Sequence, residues 1–588
     1  MLPKGLKKIV TVKGKPLNYP SDSGSFTSSL NNKHFTSSSA ALNSSNSMEK
    51  TEQHHHSTPI ADSFLWAHLI PPVPIIASTM YRHYAKGPPA KSWTLTTELT
   101  IAVIRDFLQR SSKLKVEDLQ KLSTNKKLPI PPNIKRTKFT VPNEYRKRAG
   151  DLISKQLSHS DQQRIAWNWE KDRENAAPIK GEWLQAKGNP LDPCKESTTF
   201  YLHGGAYYLA CYGLYRQFLS KIIKYSKGRT CAIDYRLAPQ HPFPAAVEDA
   251  LATYLYLIDP PKDSEHMQPV DPKKIVVAGD SAGGGLTMAL LIAIRDAGLP
   301  APAGAMALSP WMDLTHSLPS ILSNMMTDYL PPTGFKHAPS AALDYAQLPA
   351  REQDVDILEK IDEEVKGDLK EKEQVNRVSI GPFSEAVPIN GSDLHRVQFY
   401  ANNDALKIPM VSPIFDKKCL RGLPKLLIQC GTAERLRDES IFSAFQASNT
   451  SPLPINNERY GQDTKVALEM YKDQPHVFQL LFSNKGTTQA MKNLGAFVRD
   501  VTGSPAPFDY KREKHSPGYV TDEKLTVKSI STDGQTTDIK QELLNQLTPE
   551  VWKDWVDRLA RPSLKQRMDE VSVAYDKHIS KIVANTQQ

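Results

Sequence analysis

One stretch predicts the architecture: Lys274-Ile275-Val276-Val277-Ala278-Gly279-Asp280-Ser281-Ala282-Gly283-Gly284. Its first five residues read as a buried strand, and Leu286 to Ile294 read as the helix that follows. Between them, Gly279 to Gly283 matches G-x-S-x-G, a sharp strand-to-helix turn that exposes a nucleophilic serine. Ser281 would stand at a helix N-terminus, where developing negative charge is favoured. We therefore predict Ser281 as a nucleophile, with Asp280 as a supporting residue.

Strands and helices alternate on both sides of this turn. Buried strands are predicted at 198–202, 230–234, 274–278, 305–308 and 425–429. Helical patterns follow near 214–226, 245–258, 283–297, 439–447 and 488–500. This alternation predicts an α/β fold with a mostly parallel sheet and helices on both faces. Right-handed crossovers would place the functional loops along one edge of the sheet.

A second motif, His203-Gly204-Gly205-Ala206-Tyr207, follows the strand predicted at 198–202. Glycines let backbone N–H groups approach an oxyanion closely, as acyl transfer requires. We predict an oxyanion hole made by the N–H groups of Gly204, Gly205 and Ala282, with His203 as a supporting residue. The alternative is a plain glycine turn after a strand, which the companion turn at Ser281 disfavours.

Five motifs stand in order along the chain: HGGAY at 203–207, DYRLAP at 234–239, PFPAA at 242–246, GDSAGG at 279–284 and SPWMDL at 309–314. They resemble the hormone-sensitive-lipase-like α/β-hydrolases, which include arylacetamide deacetylase and fungal steryl-acetate deacetylases. The resemblance covers about 185–345 and 405–500. It implies an α/β-hydrolase fold, a Ser/Asp/His triad, a helical cap from the N-terminal segment and activity on carboxylic esters with apolar parts. Neither a metal nor an organic cofactor is expected.

The resemblance also places the other two triad members. The family's acid follows a late strand, and the matching position here is Glu434, not aspartate. Glutamate serves in some α/β-hydrolase triads, but its extra methylene demands a shifted backbone or rotamer, so Asp438 is the fallback acid. The base is predicted to be His476, whereas His316 and His395 lack a comparable context.

Two classes of function follow from these residues. The first is a serine ester hydrolase (esterase, lipase or deacetylase) that forms an acyl-enzyme on an apolar or lipid-like ester. The second is a catalytically idle fold that binds a lipid or a partner protein, a reading that Glu434 supports. Because Ser281 and His476 are both present, the enzyme is favoured. A peptidase or an acyltransferase would share the same residues.

Residues 1–60 are basic, acid-poor and Ser-rich, and are predicted to be disordered. This composition is typical of a mitochondrial transit peptide, and an ordinary disordered tail is the alternative. The corresponding locations are the mitochondrion on one side and the cytoplasm or the endoplasmic reticulum membrane surface on the other.

Residues 61–180 are predicted to hold an apolar stretch and a helical cap. The apolar stretch spans 64–80 and contains three prolines, which break helices, so it is not expected to span a bilayer. It would either contact a membrane surface through 64–82 or pack on the core. Helices are predicted at 96–110 and 160–176, and a basic linker at 126–148.

The remaining chain is predicted as a catalytic domain at 181–505, with a charged insertion at about 345–402, and a charged helical extension at 506–588. In that extension Thr548 is predicted to cap a helix whose Trp552, Trp555 and Leu559 share one face.

Composition narrows the partners. The 588 residues carry a net charge of +10, from 74 Lys and Arg against 64 Asp and Glu. The basic residues are spread among acids, without zinc-finger spacing or an RNA-binding signature, so nucleic acid is not an expected partner. Five cysteines without a CxxC spacing indicate a reducing compartment and argue against a disulfide framework or a zinc site. The expected partner is a small-molecule ester, and the sequence does not indicate an oligomeric state.

Overall fold

The computed structural model describes residues 73–125, 127–188, 196–262, 268–331, 334–344, 397–454, 461–504 and 522–561, with positions 519, 570, 573, 574 and 577. All of them belong to one unit, Ile60–Gln588. The predictions for residues 1–60, for the apolar residues 64–72, for His395 and for positions 345–396 of the insertion lie outside the described residues.

Ten strands of the described chain form one sheet. They are β1 (Ile134–Val141), β2 (Ile179–Ala186), β3 (Thr198–Leu202), β4 (Arg229–Asp234), β5 (Ile275–Asp280), β6 (Gly304–Leu308), β7 (Lys425–Gly431), β8 (Val466–Tyr471), β9 (Leu525–Ile530) and β10 (Thr536–Asp538). Their order is β1-β2-β4-β3-β5-β6-β7-β8-β9-β10. The seven strands from β4 to β9 in this order pair in parallel, and antiparallel strands complete both edges. The predicted fold class is confirmed.

Fifteen α-helices of the described residues surround this sheet. They are α1 (Val73–Ala85), α2 (Leu95–Ser111), α3 (Val116–Asn125), α4 (Asn143–Gln156), α5 (His159–Ile165), α6 (Trp169–Asn175), α7 (Arg216–Ser226), α8 (Ala245–Ile258), α9 (Ala282–Asp296), α10 (Ser320–Ser323), α11 (Arg437–Ser448), α12 (Phe478–Leu481), α13 (Lys485–Thr502), α14 (Lys540–Gln546) and α15 (Pro549–Ala560).

The central strands are buried because helices cover both faces of the sheet. Every residue of β3, β5 and β6 is buried. Alternate side chains of β3 divide between two apolar clusters: Tyr201 packs with α7 and α13, while Phe200 and Leu202 pack with α8 and α9. Continuous burial of this kind is why these strands read as unbroken apolar runs in the sequence.

The sheet extends further on both sides than the sequence predicts. The linker predicted at 126–148 contains β1, and the domain boundary predicted between 180 and 181 falls inside β2. The extension at 506–588, predicted as helical, also supplies β9 and β10. The strands at the two edges, β1 and β10, carry exposed side chains that hide their pattern. In β1, for example, six interior residues are not buried. The interior strand β8 was also not predicted, although all of its residues are buried.

Two helix predictions also need correction. The helix predicted at 160–176 is two helices, α5 and α6, because Ala166 ends the first with a left-handed φ of 53°. Pro74 does not break a helix but lies in the first turn of α1, where its missing N–H costs no hydrogen bond. Among the described residues, no helix has the length and apolarity needed to cross a membrane.

Other predicted helices are found where expected. The helix predicted at 96–110 is α2, which Thr94 caps by accepting from the Thr97 N–H. The helix predicted after Thr548 is α15, whose Trp552 ring stacks on Phe442 with centroids 4.5 Å apart. The tryptophans of the extension therefore dock on the parent core.

Candidate active site

Ser281 lies in the tight turn between β5 and α9. Its backbone has φ 52° and ψ −121°, a strained conformation for a residue with a side chain. The turn is tight because a Cβ at position 283 would come within 2.1 Å of the Leu202 carbonyl oxygen. Only glycine fits there. The structure thus builds the sharp turn that the sequence motif predicts.

His476 lies directly beside this serine. Its Nε2 is 2.9 Å from Ser281 Oγ, so the two side chains share a hydrogen bond. Burial lowers the pKa of His476 to about 4, although the negative charge of Asp328 opposes this effect. A neutral imidazole next to a serine hydroxyl is the form that a general base requires.

Glu434 is the nearer of the two candidate acids. Its Oε2 is 4.0 Å from His476 Nδ1, beyond hydrogen-bond distance, and it accepts a 2.6 Å hydrogen bond from the Ser309 hydroxyl. Burial raises the pKa of Glu434 well above its ordinary value. Among the described residues, neither His476 Nδ1 nor Glu434 Oε1 has a hydrogen-bond partner.

Asp438, the fallback acid, has another task. One of its carboxylate oxygens accepts from the Ser320 N–H at 2.8 Å, and the other pairs with the Arg437 guanidinium at 2.8 Å. These contacts hold the start of α10 against α11. The structure therefore brings Glu434, and not Asp438, to the histidine.

The prediction for the oxyanion hole needs one correction. The N–H of Gly204 donates to Asp280 Oδ1 and to the Tyr215 hydroxyl, both at 3.0 Å, so it is not directed at the serine. Gly205 and Ala206 both line the cavity at Ser281. Ala282, as the first residue of α9, has an N–H without an intrahelical acceptor. Gly205 and Ala206 thus replace Gly204 as the candidate donors of this loop, and Ala282 keeps its predicted place as the third.

Ala206 was not predicted as an oxyanion donor, because only the glycines of this loop were considered for that role. Gly204 continues the line of β3 beside β5, and its N–H is therefore taken by the neighbouring residue Asp280. The next two residues turn away with positive φ, 110° for Gly205 and 52° for Ala206. The position of Ala206 in the sequence is a signal that could have identified it, because Ala206 lies one residue further from the end of β3 than Gly205 does.

Asp280 and His203 hold this loop from behind. The Asp280 carboxylate also accepts from the hydroxyls of Tyr201 at 2.7 Å and Tyr215 at 3.1 Å, and burial raises its pKa to about 6. The His203 ring stacks on Tyr235 with centroids 4.3 Å apart, and burial lowers its pKa to about 4. His203 thus supports the loop from outside the cavity lining, whereas Asp280 also lines the cavity.

A cavity of about 290 Å³ opens above Ser281 and His476. Its walls are mostly apolar, and α2 contributes Ile104, Phe107 and Leu108. His316 also lines the cavity, where its Nε2 accepts from the Trp311 indole N–H at 3.0 Å. No group of three or more His, Cys, Asp or Glu side chains within the described ranges is placed to hold a metal ion.

Comparison with known proteins supports the same fold. A family model described as the alpha/beta hydrolase fold matches residues 199–355. Residues 199–355 therefore carry an α/β-hydrolase fold. A crystal structure of an esterase from the bacterial hormone-sensitive lipase family aligns with 74% of this chain and 100% of that chain, at 23% identity and a TM-score of 0.40.

Two curated relatives are similar to the chain over shorter stretches. It is 44% identical over 117 residues to an acetyl-hydrolase of Streptomyces hygroscopicus, covering 20% of this chain and 36% of that protein. It is 29% identical over 154 residues to an esterase of Acinetobacter venetianus, covering 26% of this chain and 46% of that protein. The chain thus spans less than half the length of these relatives.

Proposed function

We propose that this protein is a serine carboxylic-ester hydrolase of the esterase, lipase or deacetylase type. The observation that carries the proposal is the 2.9 Å contact between His476 Nε2 and Ser281 Oγ at an apolar cavity. The names of the relatives, an acetyl-hydrolase and an esterase, support the same reaction class.

The proposed reaction forms and then hydrolyses an acyl-enzyme. His476 accepts the Ser281 proton as Ser281 Oγ attacks the ester carbonyl, and the N–H groups of Gly205, Ala206 and Ala282 stabilise the oxyanion. His476 then protonates the leaving alcohol, and water repeats the sequence on the acyl-enzyme. Glu434 orients the imidazole and stabilises its charged form, for which its carboxylate has to close the 4.0 Å gap to Nδ1.

The proposed substrate has an apolar acyl or alcohol part. The apolar walls of the cavity would gain free energy by excluding water from such a group. At about 290 Å³ the cavity lies at the lower end of the range for ligand pockets, which favours esters of small size over long-chain lipids. A p-nitrophenyl ester series of increasing chain length should therefore show kcat/KM passing through a maximum at short or medium acyl chains.

A phosphonate probe tests the reaction class. Wild-type protein should be labelled and should hydrolyse p-nitrophenyl esters, and Ser281→Ala should do neither. Absence of labelling and turnover in the wild type, with folding verified by circular dichroism, would establish the idle, ligand-binding alternative instead.

We also propose that α1 contacts a membrane surface. Its outward side chains follow helical spacing, and Val73, Tyr81 and Tyr84 are 77%, 71% and 75% exposed. The opposite side of α1 contacts α2, because Arg82 and His83 form hydrogen bonds of 2.9 and 2.7 Å with the buried carboxylate of Glu98. Since α2 lines the cavity, α1 would hold the substrate entrance close to the lipid.

Vesicle flotation tests this contact. Wild-type protein should float with phosphatidylserine-containing vesicles, while Tyr81→Asp combined with Tyr84→Asp should not, and both should hydrolyse a water-soluble ester equally. Leu453→Asp, at a 48% exposed leucine elsewhere on the surface, is the matched control and should float like the wild type. Equal flotation of all three proteins would contradict the proposal.

Finally, we propose a mitochondrial location, supported by the basic, acid-poor composition of residues 1–60. Fractionation of a C-terminally tagged chain with and without these residues tests it. A cytoplasmic or endoplasmic reticulum location of the full chain would exclude it.

A further inference from the structure

The buried serine at position 309 joins the acid to the histidine loop. Its hydroxyl donates to Glu434 Oε2 at 2.6 Å and accepts from the Val477 N–H at 3.1 Å. Val477 directly follows His476, so one hydroxyl bridges the two partners of the nucleophile. Ser309 itself is fully buried and is held at the end of β6 by a 2.7 Å bond from its N–H to the Gln429 carbonyl.

The hydrogen bond from Ser309 is made to the carboxylate oxygen of Glu434 that faces His476. Glu434 Oε2 receives the Ser309 hydroxyl, and the same oxygen faces His476 Nδ1 at 4.0 Å. A glutamate has one more rotatable bond than an aspartate, so its carboxylate needs an additional restraint to keep facing the imidazole. A hydroxyl that is itself fixed by a backbone N–H supplies that restraint.

The same bond also favours the charge on the acid. Burial opposes ionisation of Glu434, and the hydrogen bond from Ser309 lowers its pKa and so partly offsets burial. The nearby guanidinium of Arg437 pairs instead with Asp438. The hydrogen bonds that favour ionised Glu434 therefore come from neutral groups, the Ser309 hydroxyl first and the Gly431 backbone after it.

We propose that Ser309 is a positioning residue for Glu434, which keeps this glutamate facing His476 and ionised. The proposal rests on the ester hydrolysis proposed above. Ser309 does not line the cavity and is not a catalytic residue itself. The hydrogen bond from Ser309 explains how a glutamate can serve as the acid of this site, because it restrains a carboxylate that the extra methylene would otherwise leave free to rotate.

Two variants remove the hydroxyl with different effects on the backbone. Ser309→Ala keeps a side chain at φ 44°, whereas Ser309→Gly suits this left-handed conformation and relieves strain. Both should lower kcat tenfold to a hundredfold, the range expected for a lost hydrogen bond to a charged group, with little change in KM. The acidic limb of the kcat/KM profile should move to higher pH, because the ionised acid loses a donor.

A double-mutant cycle separates positioning from general structural support. In a Glu434→Gln background, Ser309→Ala should cause no further loss of kcat, because the amide cannot act as the acid. Ser412→Ala is the matched control: Ser412 is also buried and accepts a backbone N–H, from Leu314 at 3.0 Å, but it contacts neither the acid nor the cavity. This control should keep the wild-type kcat and pH profile.

Wild-type kcat and an unmoved acidic limb in both Ser309 variants would overturn the proposal, as would losses that multiply in the Glu434→Gln background. A wild type without turnover would instead refute the ester hydrolase reaction. The effect of Ser309 on Glu434 and His476 can then still be tested without substrate, by following the ¹⁵N chemical shifts of His476 during a pH titration. These should change in Ser309→Gly and not in Ser412→Ala, and identical titrations would count against the link.

Discussion

Replacing Asp280 by asparagine should separate activity from stability. The carboxylate accepts three hydrogen bonds, from Tyr201, Gly204 and Tyr215, at 2.7 to 3.1 Å. Burial raises its pKa from 3.8 to about 6, so at pH 8 the buried charge costs folding about 3 kcal/mol, at 1.36 kcal/mol per pKa unit. The hydrogen bonds from Tyr201, Gly204 and Tyr215 lower this pKa, so the cost of about 3 kcal/mol is the part of the burial penalty that remains after these bonds have offset some of it. A neutral amide at this position avoids that remaining cost.

We therefore expect Asp280→Asn to be more stable than the wild type at pH 8, by up to about 3 kcal/mol, while kcat falls tenfold to a hundredfold. The activity falls because Gly204 loses its charged acceptor, which loosens the adjacent donors Gly205 and Ala206. The sign of the pH dependence is fixed by the raised pKa. Folded Asp280 binds a proton before the unfolded chain does, so the wild type gains up to about 3 kcal/mol over the variant as pH falls from 8 to 4.

Urea unfolding at pH 8 and pH 4, with p-nitrophenyl ester turnover at pH 8, measures both effects. Tyr201→Phe is the comparison: it removes one donor and leaves the charge buried, so it should destabilise the protein at pH 8 by about 1.5–3 kcal/mol. A stability difference between wild type and Asp280→Asn that does not change with pH, or an unchanged kcat, would refute the reasoning.

Three further results are expected. Gly205→Ala should abolish turnover and lower soluble yield, because φ is 110° and the new Cβ would lie 2.3 Å from the Leu209 carbonyl oxygen; full activity would contradict this. Trp93→Phe should lower Tm and kcat together, with about 1 kcal/mol lost, because the indole N–H donates to the Asp473 carbonyl at 2.5 Å in the loop that carries His476; calorimetry and turnover test it, and a normal kcat would show that the loop needs no such bond. The kcat/KM profile should keep its plateau well below pH 6.5, since the His476 pKa is lowered to about 4. The stability that neutral His476 contributes is complete above 6.5 and is lost as pH falls toward 4, and a limb at pH 6.5 would contradict the burial effect.

Much of the fold could be predicted from local sequence. The strands β3, β5, β6 and β7 and the helices that follow them were predictable because strands buried on both faces form continuous apolar runs. The strands β1, β2, β8, β9 and β10 were not predicted. The outermost, β1 and β10, carry exposed side chains, whereas β8 is fully buried and directly follows a polar stretch of the chain.

Ser281 and His476 could also be predicted from the sequence, and so could the preference for catalytic turns over plain glycine turns. Strained turns require glycines at fixed spacing, and Gly283 shows why, since any side chain there would collide with Leu202. Such requirements are local, so a single chain segment reveals them.

Tertiary structure alone decided the rest of the site. It directed the N–H of Gly204 to Asp280 and left Ala206 facing the cavity, and it gave Glu434 a partner in Ser309, 125 positions away along the chain. These contacts join segments that no sequence spacing relates. Hydrogen bonds are short and directional, so which donor meets which acceptor is settled only when the sheet has brought the strand ends together.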